Sequence, residues 1–308
     1  MPAYPGSPRL TVDALLKQPR ILSRSLTSLT SKRFVTDKIL AKGTPEMVAG
    51  GSAVFQKSES IYPDKSQTTP EQVGVRAEFP RAGWTEELFT AAVRKFGLEI
   101  PISFESVRRN QMDQMARAQR KLANAVTKFV DGLLMDMLET DGDMLTDTAS
   151  ANWSTSGTDI IADLADFRKQ IYDLDEGYEP DTLLLNPAQE LDLLMDADIR
   201  AALPRETASS AVQTGVAPLI LGINQMLVSP TVTAATLFLL ESRIIGTVAD
   251  EQPDAREGYS SSPVDGGFSP IWVKTYEETK RDEWIVRAVR FPAMWLAEPK
   301  ACIRVTGA

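Results

Sequence analysis

Three observations predict an α+β fold. Residues 98–104 alternate apolar and polar side chains, residues 106–139 repeat their apolar positions at helical spacing, and shorter helices and scattered strands follow. A chain of 308 residues is long enough for one large domain or two modest ones.

Residues 1–45 lack sustained periodicity and read as an extended arm with one short helix near 12–17. The arm is basic. Arg9, Lys17, Arg20, Arg24, Lys32, Arg33, Lys38 and Lys42 face only Asp13 and Asp37 within residues 1–43, a net charge of +6. The whole chain carries -9, so the remainder holds -15. Such an arm is either a solvated terminus or a tail that docks on something negative, nucleic acid or the acidic body of a neighbouring copy.

Turn residues at 43–51 lead into a strand-like segment at 52–62, then a polar stretch at 63–83 with no apolar face. The return strand is read at Leu98, Ile100, Ile102 and Phe104, alternating with Glu99, Pro101, Ser103 and Glu105. Pro101 cannot donate a ladder hydrogen bond and predicts an edge position. Residues 52–104 therefore form a two-stranded hairpin with a polar tip. A hairpin alone is marginally stable, so it must lie on its own body or on the next subunit.

The helix over 106–139 has Met115, Leu122, Val126, Phe129, Leu133 and Met137 as its apolar stripe. About thirty residues at a rise of 1.5 Å span roughly 45 Å, far beyond the usual three or four turns, so this helix is a spine. Asp136, Glu139, Asp141, Asp143 and Asp147 close it, and they read as a solvated exit because their spacing fails that of a calcium loop. Arg108, Arg109, Arg117, Arg120, Lys121 and Lys128 give it a partly basic surface, offset by Asp113 and Asp131. A solvated face, a salt bridge to a neighbouring subunit and a weak phosphate contact all fit, and the bridge is preferred.

A second helix begins at an N-cap Thr158, with Ile160, Leu164, Phe167, Ile171 and Leu174 along one side. Residues 182–185 suit a buried strand. Asn186-Pro187 then caps and starts a third helix. Strands are expected at 225–229, 236–241, 284–291 and 301–306, with a loop over 250–270.

Catalytic machinery is hard to find. The chain has no histidine, which removes Ser-His-Asp and Cys-His systems and the commonest metal ligand. No glycine precedes a lysine and no two glycines are spaced as G-x-G, so phosphate loops and dinucleotide fingerprints are absent. Glu86/Glu87, Glu277/Glu278 and Asp282/Glu283 are adjacent acids of the kind that face solvent. Cys302 reads as a small core residue. The most apolar run, 216–240, is broken by Pro218, Asn224, Gln225 and Pro230 and is no membrane span. Neither a cofactor nor a metal is expected.

Read in order, these elements resemble the major capsid proteins of tailed bacteriophages, with their Hong Kong 97-type fold. The resemblance rests on KFGLEIPISFESVRRNQMD (95–113), DLADFRKQIYDLDEGYEPDTLLLNPAQELDLL (163–194), GVAPLILGINQMLVSP (215–230) and DEWIVRAVRFPAMWLAEPKACIRVTG (282–307). It implies an N-terminal arm (1–51), an extended E-loop hairpin (52–104), a peripheral domain with the spine helix (105–158 and 290–308) and an axial domain (159–289). It further implies pentamers and hexamers in an icosahedral head shell around double-stranded DNA, with the hairpin across one neighbour and the arm across another. Assembly would take place in the host cytoplasm. Scaffolding, portal and decoration proteins are possible partners. About 50 residues precede the hairpin, so any scaffolding protein is expected to be a separate chain.

Subunit-interface candidates are Arg24, Lys32, Arg33, Lys57, Lys65, Arg108, Arg109, Arg117 and Arg120. Some family members join a hairpin lysine to a C-terminal asparagine of a neighbour. Lys57 or Lys65 would supply the lysine, but no asparagine follows Asn224, so no such isopeptide is expected. The acidic body predicts only loose, non-specific contact with packaged DNA. An encapsulin-type cargo compartment shares the fold and is the main alternative. A carboxylate-based hydrolase, which would need an acidic pair in a closed apolar cleft, is the distant one.

Overall fold

Leu22 and Leu26 make part of the expected arm a piece of the core. The computed structural model describes residues 11–30, 34–48, 50–57, 73, 88–155, 157–196, 198–199, 221–261 and 271–308. Its first elements are α1 (Val12–Leu16), α2 (Pro19–Thr30), α3 (Thr36–Ile39) and the two-residue strand β1 (Ala41–Lys42). The extended arm is thus corrected over its described residues: α1 is the expected short helix, but α2 adds twelve more helical residues.

The hairpin is β2 (Ser52–Gln56) and β3 (Leu88–Ala92), with Ser52 opposite Ala92 and Gln56 opposite Leu88. Its return strand is β3, not the alternating segment after it. That segment, β4 (Phe96–Ser103), joins a different sheet.

A short helix, α4 (Phe104–Arg108), is capped by Ser103, whose hydroxyl accepts from the Ser106 amide. Asn110, in the left-handed region at φ 52°, separates it from the spine helix α5 (Met112–Thr140). Asn110 also holds the arm, its Oδ1 accepting from the Val12 amide at 2.9 Å. The 29 residues of α5 span about 44 Å. Its buried stripe runs through Met115, Leu122, Val126, Val130, Leu134 and Leu138. Phe129, expected in that stripe, is instead 65% exposed. A 3.6-residue repeat favours the 122–126–130–134–138 row, with Phe129 to one side.

After β5 (Leu145–Thr148) comes α6 (Ile160–Tyr172). Its N-cap is Asp159, one residue beyond the expected Thr158, with Oδ1 accepting from the Ala162 amide at 3.0 Å. Ile160, Leu164, Phe167 and Ile171 are buried as anticipated. The strand β6 (Thr182–Leu185) is wholly buried. Next is α7 (Pro187–Met195), which starts on a capping box in which Asn186 and Gln189 each bond the other's backbone amide region. The remaining strands are β7 (Gln225–Val228), β8 (Thr236–Leu240), β9 (Gly246–Asp250), β10 (Trp272–Glu278), β11 (Glu283–Arg290), β12 (Pro292–Leu296) and β13 (Cys302–Thr306).

Three sheets take up most of these strands. β5-β13-β8-β6-β7 forms a five-stranded sheet, β10-β11-β4 a three-stranded one, and β1-β9-β12 another. β4 lies at the edge of its sheet, where Pro101 faces Ile285 across the ladder, as the proline requires. A Cβ on Gly97 would collide with Val289 and the Ala288 carbonyl, so that close approach needs glycine.

The five-stranded sheet is sandwiched. Leu183, Leu185, Leu237, Leu239, Ile303 and Val305 pack with the stripe of α6 on one side. Leu184, Phe238, Leu240 and Cys302 pack with Leu134 and Leu138 of α5 on the other. Burial on both faces explains apolar runs such as TLFLL that show no alternation. The other half of α5 packs with α2 and the β10-β11-β4 sheet, so the spine joins two cores. Cys302 is fully buried, and burial pushes its thiol far above the usual range, which leaves it inert.

Candidate assembly surfaces

The arm is fastened to its own chain by two buried polar sites. Asp131 of α5 accepts from the Val35 amide at 3.1 Å, the Thr36 amide at 3.0 Å and the Thr36 hydroxyl at 2.8 Å. Its carboxylate meets the amide end of α3, where backbone N–H groups lack intrahelical partners. Burial pushes the Asp131 carboxyl above the ordinary range, against the three hydrogen bonds that pull it down.

The second site is an ion network around Arg290, 1% exposed at the end of β11. Its Nε is 2.8 Å from Asp250 Oδ1, its Nη2 is 3.0 Å from Asp250 Oδ2 and 2.7 Å from Asp37 Oδ1. The guanidinium also stacks over Phe34 at 4.6 Å from the ring centre. One arginine therefore joins the arm, β9 and β11.

The hairpin has a fixed inner face and an open outer one. Lys57 Nζ reaches Asp143 at 2.7 Å and Asp141 at 3.2 Å, and lies 5.5 Å from the Phe89 ring centre. These acids were expected to be a solvated helix exit, but they clamp the hairpin base to the end of α5. Phe55 stacks on Trp295 at 5.8 Å. Between hairpin, α5 and β12 lies a groove of about 600 Å³ lined by Leu133, Met137, Met294 and Trp295. On the outward face, Val54 is 64% and Leu88 69% exposed. Leu191 and Met195 stand out from α7 in the same way.

Of the interface candidates, Arg24 is exposed on α2, Arg108 and Arg109 at the α4–α5 break, and Arg117 and Arg120 on α5. Lys57 is committed to its own chain's Asp141 and Asp143. Lys32, Arg33 and Lys65 lie outside the described residues. For the hydrolase reading, Glu277 is exposed and faces Trp284 across the β10–β11 ladder, and Glu278 faces Glu283. Glu86 and Glu87 lie outside the described residues.

Sequence reasoning missed Asp37, Asp131, Asp250 and Arg290. Strand parity carried one usable signal. Arg290 falls on the same side of β11 as Val286 and Ala288, the core side, while Arg287 falls on the other.

No helix among the described residues is long and apolar enough to cross a membrane. The two-core spine, the hairpin base on β12 and the five-stranded sheet together make the fold of solved capsids. The chain is similar to the virus-like particle from Pyrococcus furiosus, with TM-score 0.57 and 12% identity over 92% of this chain and 97% of that one. It is similar to the capsid of cyanophage P-SCSP1u at TM-score 0.56 and 11% identity, covering 88% and 86%. Mycobacterium phage Che8 gives TM-score 0.54 and 10% identity over 98% and 93%. At such identities the likeness is one of fold. No curated protein matches. The chain belongs to the phage capsid protein family, whose model matches residues 86–305. It is a major capsid protein of the Hong Kong 97-type fold, a structural component of the virion that builds the head shell.

Proposed function

We propose that the chain forms pentamers and hexamers that close into an icosahedral shell around double-stranded DNA, without a catalytic step. The observation that carries this reading is the hairpin. Its base is clamped by Lys57, yet its outer face exposes Val54 and Leu88 to solvent. Two such side chains gain about 1.5–3 kcal/mol each when covered, and a neighbouring subunit is the surface available to cover them.

The domain division is redrawn in this proposal. The arm, β4, β10, β11 and the first half of α5 form the peripheral unit, because they share one core. The axial unit is built from α6, β6, α7, β7 and β8, and it includes β13, which pairs with β8 in mid-sheet. Assembly takes place in the host cytoplasm, with portal, scaffolding and decoration proteins as candidate partners. No lysine–asparagine crosslink joins the subunits.

Isolated particles treated with nuclease and then opened test this reading. Long protected double-stranded DNA is the expected content. Particles filled with a cargo protein and free of DNA would instead establish the compartment alternative.

A further inference from the structure

The first two-thirds of α5 carry an exposed face that neither the core nor the hairpin uses. Arg117, Arg120, Lys121, Asn124 and Lys128 are all exposed. At 100° per residue they fall within about a third of the helix circumference, and they extend about 17 Å along it. None of the four cations has a salt bridge among the described residues. Two acids share the arc, Asp113 at its N-terminal end and Asp131, which is buried against α3.

The chemistry of this face separates it from the surfaces suited to another copy. Cores of protein interfaces are apolar and poor in lysine. The hairpin face with Val54 and Leu88 and the α7 face with Leu191 and Met195 have that character. Phe129 stands to one side of this arc, and the four cations within it are all hydrogen-bond donors. Arginine, lysine and asparagine donors without apolar contacts are the set that meets phosphate oxygens.

We infer that this face of α5 binds the phosphate backbone of double-stranded DNA. The inference rests on the DNA-filled shell proposed above, and it sharpens the expectation of loose contact. The acidic remainder of the chain repels the duplex, while one cationic stripe per subunit holds it at intervals. DNA carries one charge per about 1.7 Å of axis, so about 17 Å of duplex offers ample phosphates for four cations. Contacts of this kind carry no sequence preference.

Binding of a 30-base-pair duplex to the unassembled full-length protein, measured by fluorescence anisotropy across a salt series, tests it. Four phosphate contacts predict a log–log salt slope of about -3.6 from this face. The variant Arg117→Gln/Arg120→Gln/Lys121→Gln/Lys128→Gln is expected to lose that slope. Lys42→Gln/Arg256→Gln/Lys280→Gln/Arg281→Gln, which removes as much charge elsewhere, is expected to keep it, as is Arg117→Lys/Arg120→Lys. Equal slopes for the two fourfold variants, or no binding by the unaltered protein, overturn the inference. A stripe variant that folds by circular dichroism but forms no shells also overturns it, since the stripe would then be a contact between copies. Failure of the unaltered protein to form shells counts against the capsid reading alone, because the slopes are read on unassembled protein.

Discussion

Arg290 and Asp37 are 253 residues apart in the chain and 2.7 Å apart in the fold. With Asp250 they place one guanidinium between two carboxylates inside the protein. Removing one partner of a buried charge set leaves the others uncompensated, at about 3–5 kcal/mol. Arg290→Met should therefore lower unfolding stability by that amount in urea titrations followed by tryptophan fluorescence. Asp37→Asn should cost less, since Asp250 still balances the arginine. A loss below 1 kcal/mol for Arg290→Met would mean that the network does not fasten the arm.

Asp131 makes the arm sensitive to pH. Its folded carboxyl titrates above the ordinary range, so at a pH between the unfolded and folded values the folded state keeps a proton that the unfolded state has released. That contribution to stability is greatest at low pH and declines as pH rises through the window just above the ordinary carboxylate value. Asp131→Asn should flatten this dependence, and Asp131→Ala should cost about 1–3 kcal/mol through the unpaired amides of Val35 and Thr36. Chemical denaturation at several pH values between 4 and 7 measures both. An unchanged pH profile in the asparagine variant contradicts the assignment.

Lys57 fixes the base of the hairpin. Its pKa is raised: burial lowers it, but the Asp143 and Asp141 bonds outweigh that. The clamp is thus complete below the ordinary lysine value and is lost as pH rises beyond it. Lys57→Gln should speed amide exchange in β2 and β3 while leaving α6 unchanged. Mature particles boiled in detergent should run as single subunits. A ladder of covalent multimers on that gel would refute the absence of crosslinks.

Parts of this structure were legible in the sequence for definite reasons. The spine helix, α6, β6 and the Asn186 cap each present a single strong pattern, either helical spacing, an apolar run or an Asn-Pro signal. α2 was hidden by its serines and threonines, which resemble a solvated tail. Ser23, Thr27 and Thr30 are buried there because their hydroxyls donate to the carbonyls of Arg20, Ser23 and Leu26 in the preceding turn. β3 was hidden because its five residues are mostly exposed and have no alternation. β4 showed its alternation but not its partner, since period two identifies a strand without naming its neighbour. The Arg290 network joins three distant segments, and no local pattern reports such a meeting.

The outer hairpin face separates folding from assembly. Val54 and Leu88 contribute little to the isolated subunit, being mostly exposed. Val54→Lys/Leu88→Lys should leave the melting temperature within a few degrees of the parent while abolishing shells in gradient sedimentation. Normal shells from this variant would remove the hairpin face from the interface.

Electron cryomicroscopy of the purified full-length protein tests the central claim most directly. The account predicts closed icosahedral shells in which each hairpin lies on a neighbouring subunit through Val54 and Leu88, with each described arm segment on its own spine helix. Dispersed single subunits at every concentration, or shells whose hairpins touch no neighbour, would contradict it.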